Sequence, residues 1–200
     1  SELVKGIMGI IPIIKGKIIL NNREIKINNP SDAIRHLICL VPEDRQNEGL
    51  VLCRSVKENI TLAGLKKFKA FFIQNIKEAN WVKELVVKLN IKTPSLEQIV
   101  GNLSGGNQQK VVLSKWLFAN SEIFIFDEPT RGIDIGAKQE IYKLMGEIVK
   151  QGKAIILISS DMPELVSLCD RILVLRNNEP AGILDRSEIS EINILKLAIG

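Results

Sequence analysis

Two apolar runs, "EIFIF" (122–126) and "AIILI" (154–158), flank a segment of helical periodicity, and this arrangement restricts the fold more than any other part of the chain. Neither run alternates apolar with polar residues. Continuous apolar character suits a strand covered on both faces, as in a parallel sheet layered by helices. Between them, in "GAKQEIYKLMGEIVKQG", Ile141, Leu144, Met145, Ile148 and Val149 fall at i, i+3, i+4, i+7 and i+8, and Gly152 supplies a stop. Strand, helix and strand at this spacing make a crossover unit with parallel strands. A third run, "RILVL" (171–175), reads as another strand buried on both faces.

The first half has a different texture. "GKIIL" (16–20), an Asn21–Asn22 turn and "LICLV" (37–41) read as short strands. From about Ser55 to Asn90 helical patterns dominate, with Val82, Leu85, Val86 and Leu89 on one apolar face. In "KKFKAFF" (66–72) the lysines are expected in solvent and the aromatics packed. The reading is an α/β core with an inserted helical subdomain. Two hundred residues at 46% hydrophobic content suffice for one such core. A net charge of +4 neither requires nor excludes nucleic acid, and 4% aromatic content argues against a base-stacking surface. The three cysteines, Cys39, Cys53 and Cys169, lack C-x-x-C spacing and are expected as buried, reduced thiols. "GIMGIIPII" (6–14), the longest apolar run, is broken by Pro12 and falls short of the ~18–20 residues a bilayer span needs. The opening residues do not follow a secretory signal pattern.

Two segments carry chemistry. "IFIFDEPT" ends a strand in Asp127 and Glu128, at the sheet edge where α/β proteins bind ligands. One acid could hold Mg²⁺ through water and its neighbour could orient an attacking water; a solvated acidic turn is the alternative. In "GNLSGGNQQK" (101–110), Gly101 and Gly106 stand at phosphate-loop spacing, but Asn107 and Gln108 replace the Lys and Ser or Thr. No G-x-x-x-x-G-K-[ST] occurs anywhere in the chain. Val112 with Trp116, and Leu113 with Leu117, pair at i, i+4, so a helix begins just after the glycines. Ser104, Gly105 and Gly106 then lie at its positive end, where bare N–H groups and a hydroxyl can meet an anion. An ordinary serine N-cap is the alternative.

Together and in this order, the two segments resemble the signature motif and Walker B segment of ABC-type ATPases, with "TRGID" (130–134) as that family's D-loop. "LVPEDRQNEGLVLCRSVKENITLAGL" (40–65), with "LSGGNQQKVVLSKWL" and "DEPTRGIDIGAKQEIY", is similar to the second ATPase half of tandem monosaccharide importers of the ribose, galactose and xylose type. That resemblance extends over nearly the whole chain. It implies an α/β, P-loop NTPase-like parallel-sheet core with an inserted helical subdomain, lacking its N-terminal strand and phosphate loop. The core would occupy 1–46 and 116–200, the latter with Walker B, D-loop and switch region, and the helical subdomain with the signature 47–115.

The resemblance also implies ATP and Mg²⁺, and roles for individual residues. Ser104, Gly105, Gly106 and Gln108 would serve an ATP held by a partner's phosphate loop. Glu43 falls where most of the family place the Q-loop glutamine, reaching toward Mg²⁺ and the attacking water. Asp127 would hold the metal, Glu128 would act in catalysis, and Asp134 is the acidic residue of the D-loop at the nucleotide. Ser1, as the last residue of a phosphate loop, would touch nucleotide and metal. In "SSDMPEL", Ser160 takes the switch position usually held by histidine, and serine cannot carry an imidazole's charge. The site built on this half is therefore expected to hydrolyse slowly or not at all, although Glu128 is retained. His36, the sole histidine, reads as structural or exposed. The implied partners are the first ATPase half of the same tandem protein, membrane permease subunits and, through them, an extracytoplasmic sugar-binding protein. The implied place is the cytoplasmic face of the membrane, and no nucleic acid is expected. A ribosome-associated or DNA-repair ATPase of the same family, or a scaffold without catalytic role, are the alternatives.

Overall fold

Strand β3 (Ile38–Val41) runs parallel to β4 (Ile123–Asp127), with Ile38 opposite Ile123 and Val41 opposite Phe126, and β5 (Ala154–Ile158) takes the other edge of β4. The computed structural model describes residues 1–67 and 75–200. Phe124, Ile125 and Phe126 are fully buried, as an uninterrupted apolar run requires. The edge strand β5 is less covered than expected, with Ile156 at 41% exposure. Helix α6 (Ile135–Lys150) makes the crossover from β4 to β5 and buries Ile141, Met145 and Ile148. Val149 is exposed, so the apolar stripe is narrower than its periodicity predicts. Gly152, at φ 80°, supplies the left-handed residue beyond the helix end.

Ahead of this sheet, α1 (Glu2–Ile7) buries Val4 and Gly6, and β1 (Ile18–Leu20) pairs antiparallel with β2 (Arg23–Ile25). Asn21 and Asn22, at φ 50° and 61°, form the left-handed turn that a two-residue hairpin needs. Helix α2 (Pro30–Arg35) is capped by Asn29 and ends at His36, a structural position. The helical region follows β3. Helix α3 (Val56–Thr61) starts on a reciprocal Ser55–Glu58 capping box, and α4 (Asn75–Lys88) comes next, with Val82 buried. Most of "KKFKAFF" lies outside the described residues.

Helix α5 (Gly105–Phe118) organises the region. It contacts α3, α4, α6 and β3, and its polar residues Gln108, Gln109, Lys110, Ser114 and Lys115 are buried with its apolar ones. A buried cation must be paired. Lys110 Nζ donates to the Asn90 carbonyl at 2.8 Å and pairs with Glu140 at 2.5 Å. Lys115 Nζ donates to the Gly49 carbonyl at 2.6 Å and lies 4.8 Å from the Trp116 ring centre.

Ser1–Ile156 forms one compact unit and Leu157–Gly200 a second. The second contains α7 (Met162–Leu168), the antiparallel hairpin β6 (Arg171–Arg176) and β7 (Glu179–Asp185), and α8 (Glu191–Ile199). Its core is Ile172, Val174, Leu184 and Ile194. This corrects the reading of "RILVL" as a strand buried on both faces. Ile172 and Val174 point inward while Leu173 and Leu175 are each 46% exposed, so the strand alternates in burial although its residue types do not. The thiols also need one correction: Cys39 is buried and Cys169 half-buried, but Cys53 is exposed, and all three are free.

Burial holds the pKa of Lys115 down to about 8, against an ordinary 10.5. Between those values the folded chain binds fewer protons than the unfolded one, so this lysine makes stability rise with pH across that window. Burial pushes the Cys39 thiol up to about 12, which acts in the opposite direction above pH 9. In a Cys39→Ala background, the stability of the Lys115 protein relative to Lys115→Met is expected to improve by roughly 3 kcal/mol between pH 8 and 10.5, read from urea unfolding curves.

Candidate functional site

Strand β4 carries Asp127 to the C-terminal edge of the sheet, where its side chain is almost wholly buried. Ser1, the N-cap residue of α1, donates from Oγ to Asp127 Oδ1 at 3.0 Å. Two residues expected at a metal, 126 positions apart, thus meet. The next residue, Glu128, has φ 47°. Of the eight non-glycine residues with positive φ among those described, six are asparagines and the others are Leu37 and Glu128. Asparagine tolerates the left-handed region; a glutamate held there costs about 1 kcal/mol. The turn is closed by the Arg131 N–H on the Glu128 carbonyl at 3.1 Å. Three residues on, Asp134 caps α6, its carboxylate accepting the Ala137 N–H at 2.9 Å.

Glu43 follows β3 and forms an ion pair with Arg131. Asp44 caps the π-helical turn Arg45–Gly49, accepting the N–H groups of Gln46 and Asn47 at 3.1 and 3.0 Å. Hydrogen bonds from the side chain and backbone of Asn47 hold the Asp44 carboxyl below its usual range. Arg45 Nη1 reaches the Arg131 carbonyl at 3.3 Å. Glu43, Asp44, Arg45, Gln46 and Arg131 line a polar cavity of about 310 Å³.

Among the described residues no group of three or more His, Cys, Asp or Glu could hold a metal, so Glu43, Asp127 and Glu128 do not form a cage. Mg²⁺ does not need one. It takes one or two carboxylates together with phosphate and water oxygens, and the Ser1–Asp127 pair fits that requirement.

Ser104 stands at the N-cap of α5 without a side-chain capping bond. Its Oγ instead accepts from Asn107 Nδ2 at 2.9 Å, while Asn107 Oδ1 accepts the Lys92 N–H at 2.8 Å. The glycines are matched to close neighbours. A Cβ on Gly105 would stand 2.5 Å from Arg45 Nη2, and one on Gly106 would stand 2.9 Å from the Ala137 Cβ. Gln108, expected near a ligand, is 2% exposed; it accepts from Gln46 Nε2 at 3.2 Å and donates to the Val100 carbonyl at 3.3 Å. In the second unit, Ser160 is exposed on the segment after β5. Beside it, Ser159 Oγ donates to Glu164, a buried carboxylate, and accepts the Asp161 N–H at 3.0 Å. No sequence motif singles out the side chains of Arg45, Arg131 or Glu164. The run of charges in "PEDR" was the one available signal for Arg45.

A family model described as ABC transporter matches residues 1–131. The chain belongs to the ABC transporter family. Among ABC relatives, the ribose import ATP-binding protein RbsA of Clostridium perfringens (strain 13 / Type A) is 50% identical over 202 aligned positions, covering 100% of this chain and 40% of that protein. A putative ribose/galactose/methyl galactoside import ATP-binding protein 1 of Rhizobium etli is 48% identical over 201 positions, covering 100% and 38%. The chain therefore spans about 40% of the length of the curated relatives it matches. Among solved structures, a nucleotide-free ATP-binding cassette from an ABC transporter aligns with a TM-score of 0.80 at 18% identity, covering 100% of this chain and 83% of the other. A dimeric cassette in a post-hydrolysis state with ADP and Pi gives 0.78 at 18% identity, covering 93% and 80%. These likenesses show the fold, that of an ABC ATPase cassette: α/β with a parallel sheet, as the sequence predicts.

The strain at Glu128 has a measurable consequence. Glu128→Asn is expected to exceed Glu128→Ala in unfolding free energy by about 1 kcal/mol, seen as a higher melting temperature in calorimetry, because both lose the glutamate side chain and only asparagine tolerates the left-handed backbone.

Proposed function

We propose that this chain is part of the ATP-binding, ATP-hydrolysing component of an ABC importer for a monosaccharide such as ribose. The observation that carries the reading is the buried Asp127 at the end of β4 held by the Ser1 hydroxyl, in a chain whose relatives bear ribose import names. Bound Mg²⁺ with ATP would supply a neutralised, polarised terminal phosphate. Asp127 and Ser1 would hold that ion, and Glu128 would orient water. Glu43 pairs with Arg131, whose N–H meets the Glu128 carbonyl. Ser104, Gly105 and Gly106 present a helix N-terminus, which favours an anion held by a facing partner. Gln108 serves that helix end from inside, by fixing its first turn. Asp134 fixes the start of α6 behind the D-loop, and Ser160 takes the switch position without an imidazole.

In this reading the core comprises 1–46 and 116–200, with the helical subdomain at 47–115. The partners are the other ATPase half of a tandem protein, permease subunits and, through them, an extracytoplasmic sugar-binding protein. Among the described residues no helix is long and apolar enough to cross a membrane. In this reading the chain lies at the cytoplasmic face, on the permease. The chain has no phosphate-loop sequence. On its own it is expected to bind ATP weakly and to release no measurable phosphate in a steady-state assay; robust turnover would contradict the reading.

Two substitutions separate the sites. In the assembled importer, Ser104→Arg is expected to abolish ATP-driven sugar uptake, because a bulky cation would displace the helix end from the facing nucleotide. Glu128→Gln is expected to cost much less, because its own site already lacks the switch histidine. Equal losses in a vesicle transport assay would refute the division.

A further inference from the structure

The turn that follows β3 lies along one stripe of α5. Arg45 meets Gly105, Gln46 bonds Gln108, and Gly49 meets both Val112, at 3.1 Å from a Cβ built on the glycine, and Lys115. Positions 105, 108, 112 and 115 are spaced i, i+3, i+7 and i+10, a single helix face. The turn is π-helical, a rare form often found at functional positions. Most of these contacts are packing. Arg45 differs, because it also reaches a second element.

We propose that Arg45 is a positioning residue that ties the head of α5 to the loop between β4 and α6, so that the Ser104–Gly106 end and the Asp127–Asp134 segment shift together. Its guanidinium occupies the space that Gly105 leaves by having no side chain, with Nη2 2.5 Å from where a Cβ would be. From there Nη1 holds the Arg131 carbonyl at 3.3 Å. Arg131 is gripped at its other end by the Glu43 carboxylate, and its N–H closes the strained turn at Glu128. A line of contacts thus runs from Gly105 through Arg45 and Arg131 to Glu128. Arg45 Nε is buried without an acceptor, a cost that optimisation of its own hydrogen bonding does not explain and placement of the rest of the fork does. Gly105 is then a glycine because of Arg45, whatever else it faces. Lysine could not replace the arginine, since one ammonium cannot both fill the recess and reach the carbonyl as a planar fork does. As a link between two nucleotide sites this rests on the function proposed above; the link itself does not.

Hydrogen exchange of the full chain without nucleotide, followed by mass spectrometry, tests the tie directly. Arg45→Ala and Gly105→Ala are each expected to speed exchange of amides 130–137 roughly tenfold, while the amides of α4 stay unchanged. The double variant should be no faster than either single one, because both remove the same contact. Arg45→Lys should not restore the slow rate. Arg45→Gln serves as a second truncation should Arg45→Ala fail to fold. Unchanged exchange at 130–137 in the single variants, or effects that multiply in the double, would overturn the proposal. In the assembled importer, Arg45→Ala should lower kcat with KM for ATP unaltered, whereas general loosening would move both. Exchange coupling in an importer that proves not to use ATP would uphold the tie and sink the nucleotide reading.

Discussion

Helix α5 can lie in the interior of the first unit only because its buried cations are satisfied there. Lys110 has the Asn90 carbonyl and Glu140, and Lys115 has the Gly49 carbonyl beneath the Trp116 ring. Without those partners, burying two ammonium groups would cost more than the apolar residues around them return. With them, the helix has one seat, because each lysine fixes a different neighbour. Lys115 fixes the turn after β3, and Lys110 fixes both α6 and the end of α4. The position of Ser104–Gly106 follows from that seat, as the helix head has no freedom that its body lacks.

The carboxylate end of the sheet is built on a different principle. There the structure accepts backbone strain and a buried carboxylate. Glu128 sits in a backbone region that suits asparagine better, and Asp127 is buried and accepts a serine hydroxyl. Around them, Asp44 and Asp134 cap helical turns and Glu43 pairs with Arg131. The chain thus commits several of its acids to caps and ion pairs, and residue type alone does not reveal which.

That division explains how much could be read in advance. The β4–α6–β5 unit was legible because its apolar pattern is local, and the start of α5 was legible because glycines and i, i+4 pairs are local too. The pairing of Ser1 with Asp127 could be expected only through likeness to a family, since it joins positions 126 apart. Arg45 with Arg131, 86 apart, had no such guide. Gln108, which the family resemblance sets near a nucleotide, is buried and links Gln46 to the Val100 carbonyl, a pairing across 62 positions with no local signal. "RILVL" misled because leucines occupy the outer face of a hairpin, so residue type and burial fall out of step.

Those outward leucines have a sequel. Leu173 lies opposite Ile183 across the hairpin, and both are about half exposed, with Leu175 beside them. A ribbon of two strands is barely stable unaided, and this one is greasy on its outer side as well. The inner side is kept dry by α7, through Met162, Leu165 and Val166, and by α8, through Ile194 in the core and Leu197 packed so closely on Gly182 that a methyl there would lie 3.0 Å away. A chain clipped before Glu191 would uncover part of the inner face beside an outer one already apolar, turning an ordinary surface into an adhesive strip that invites clumping.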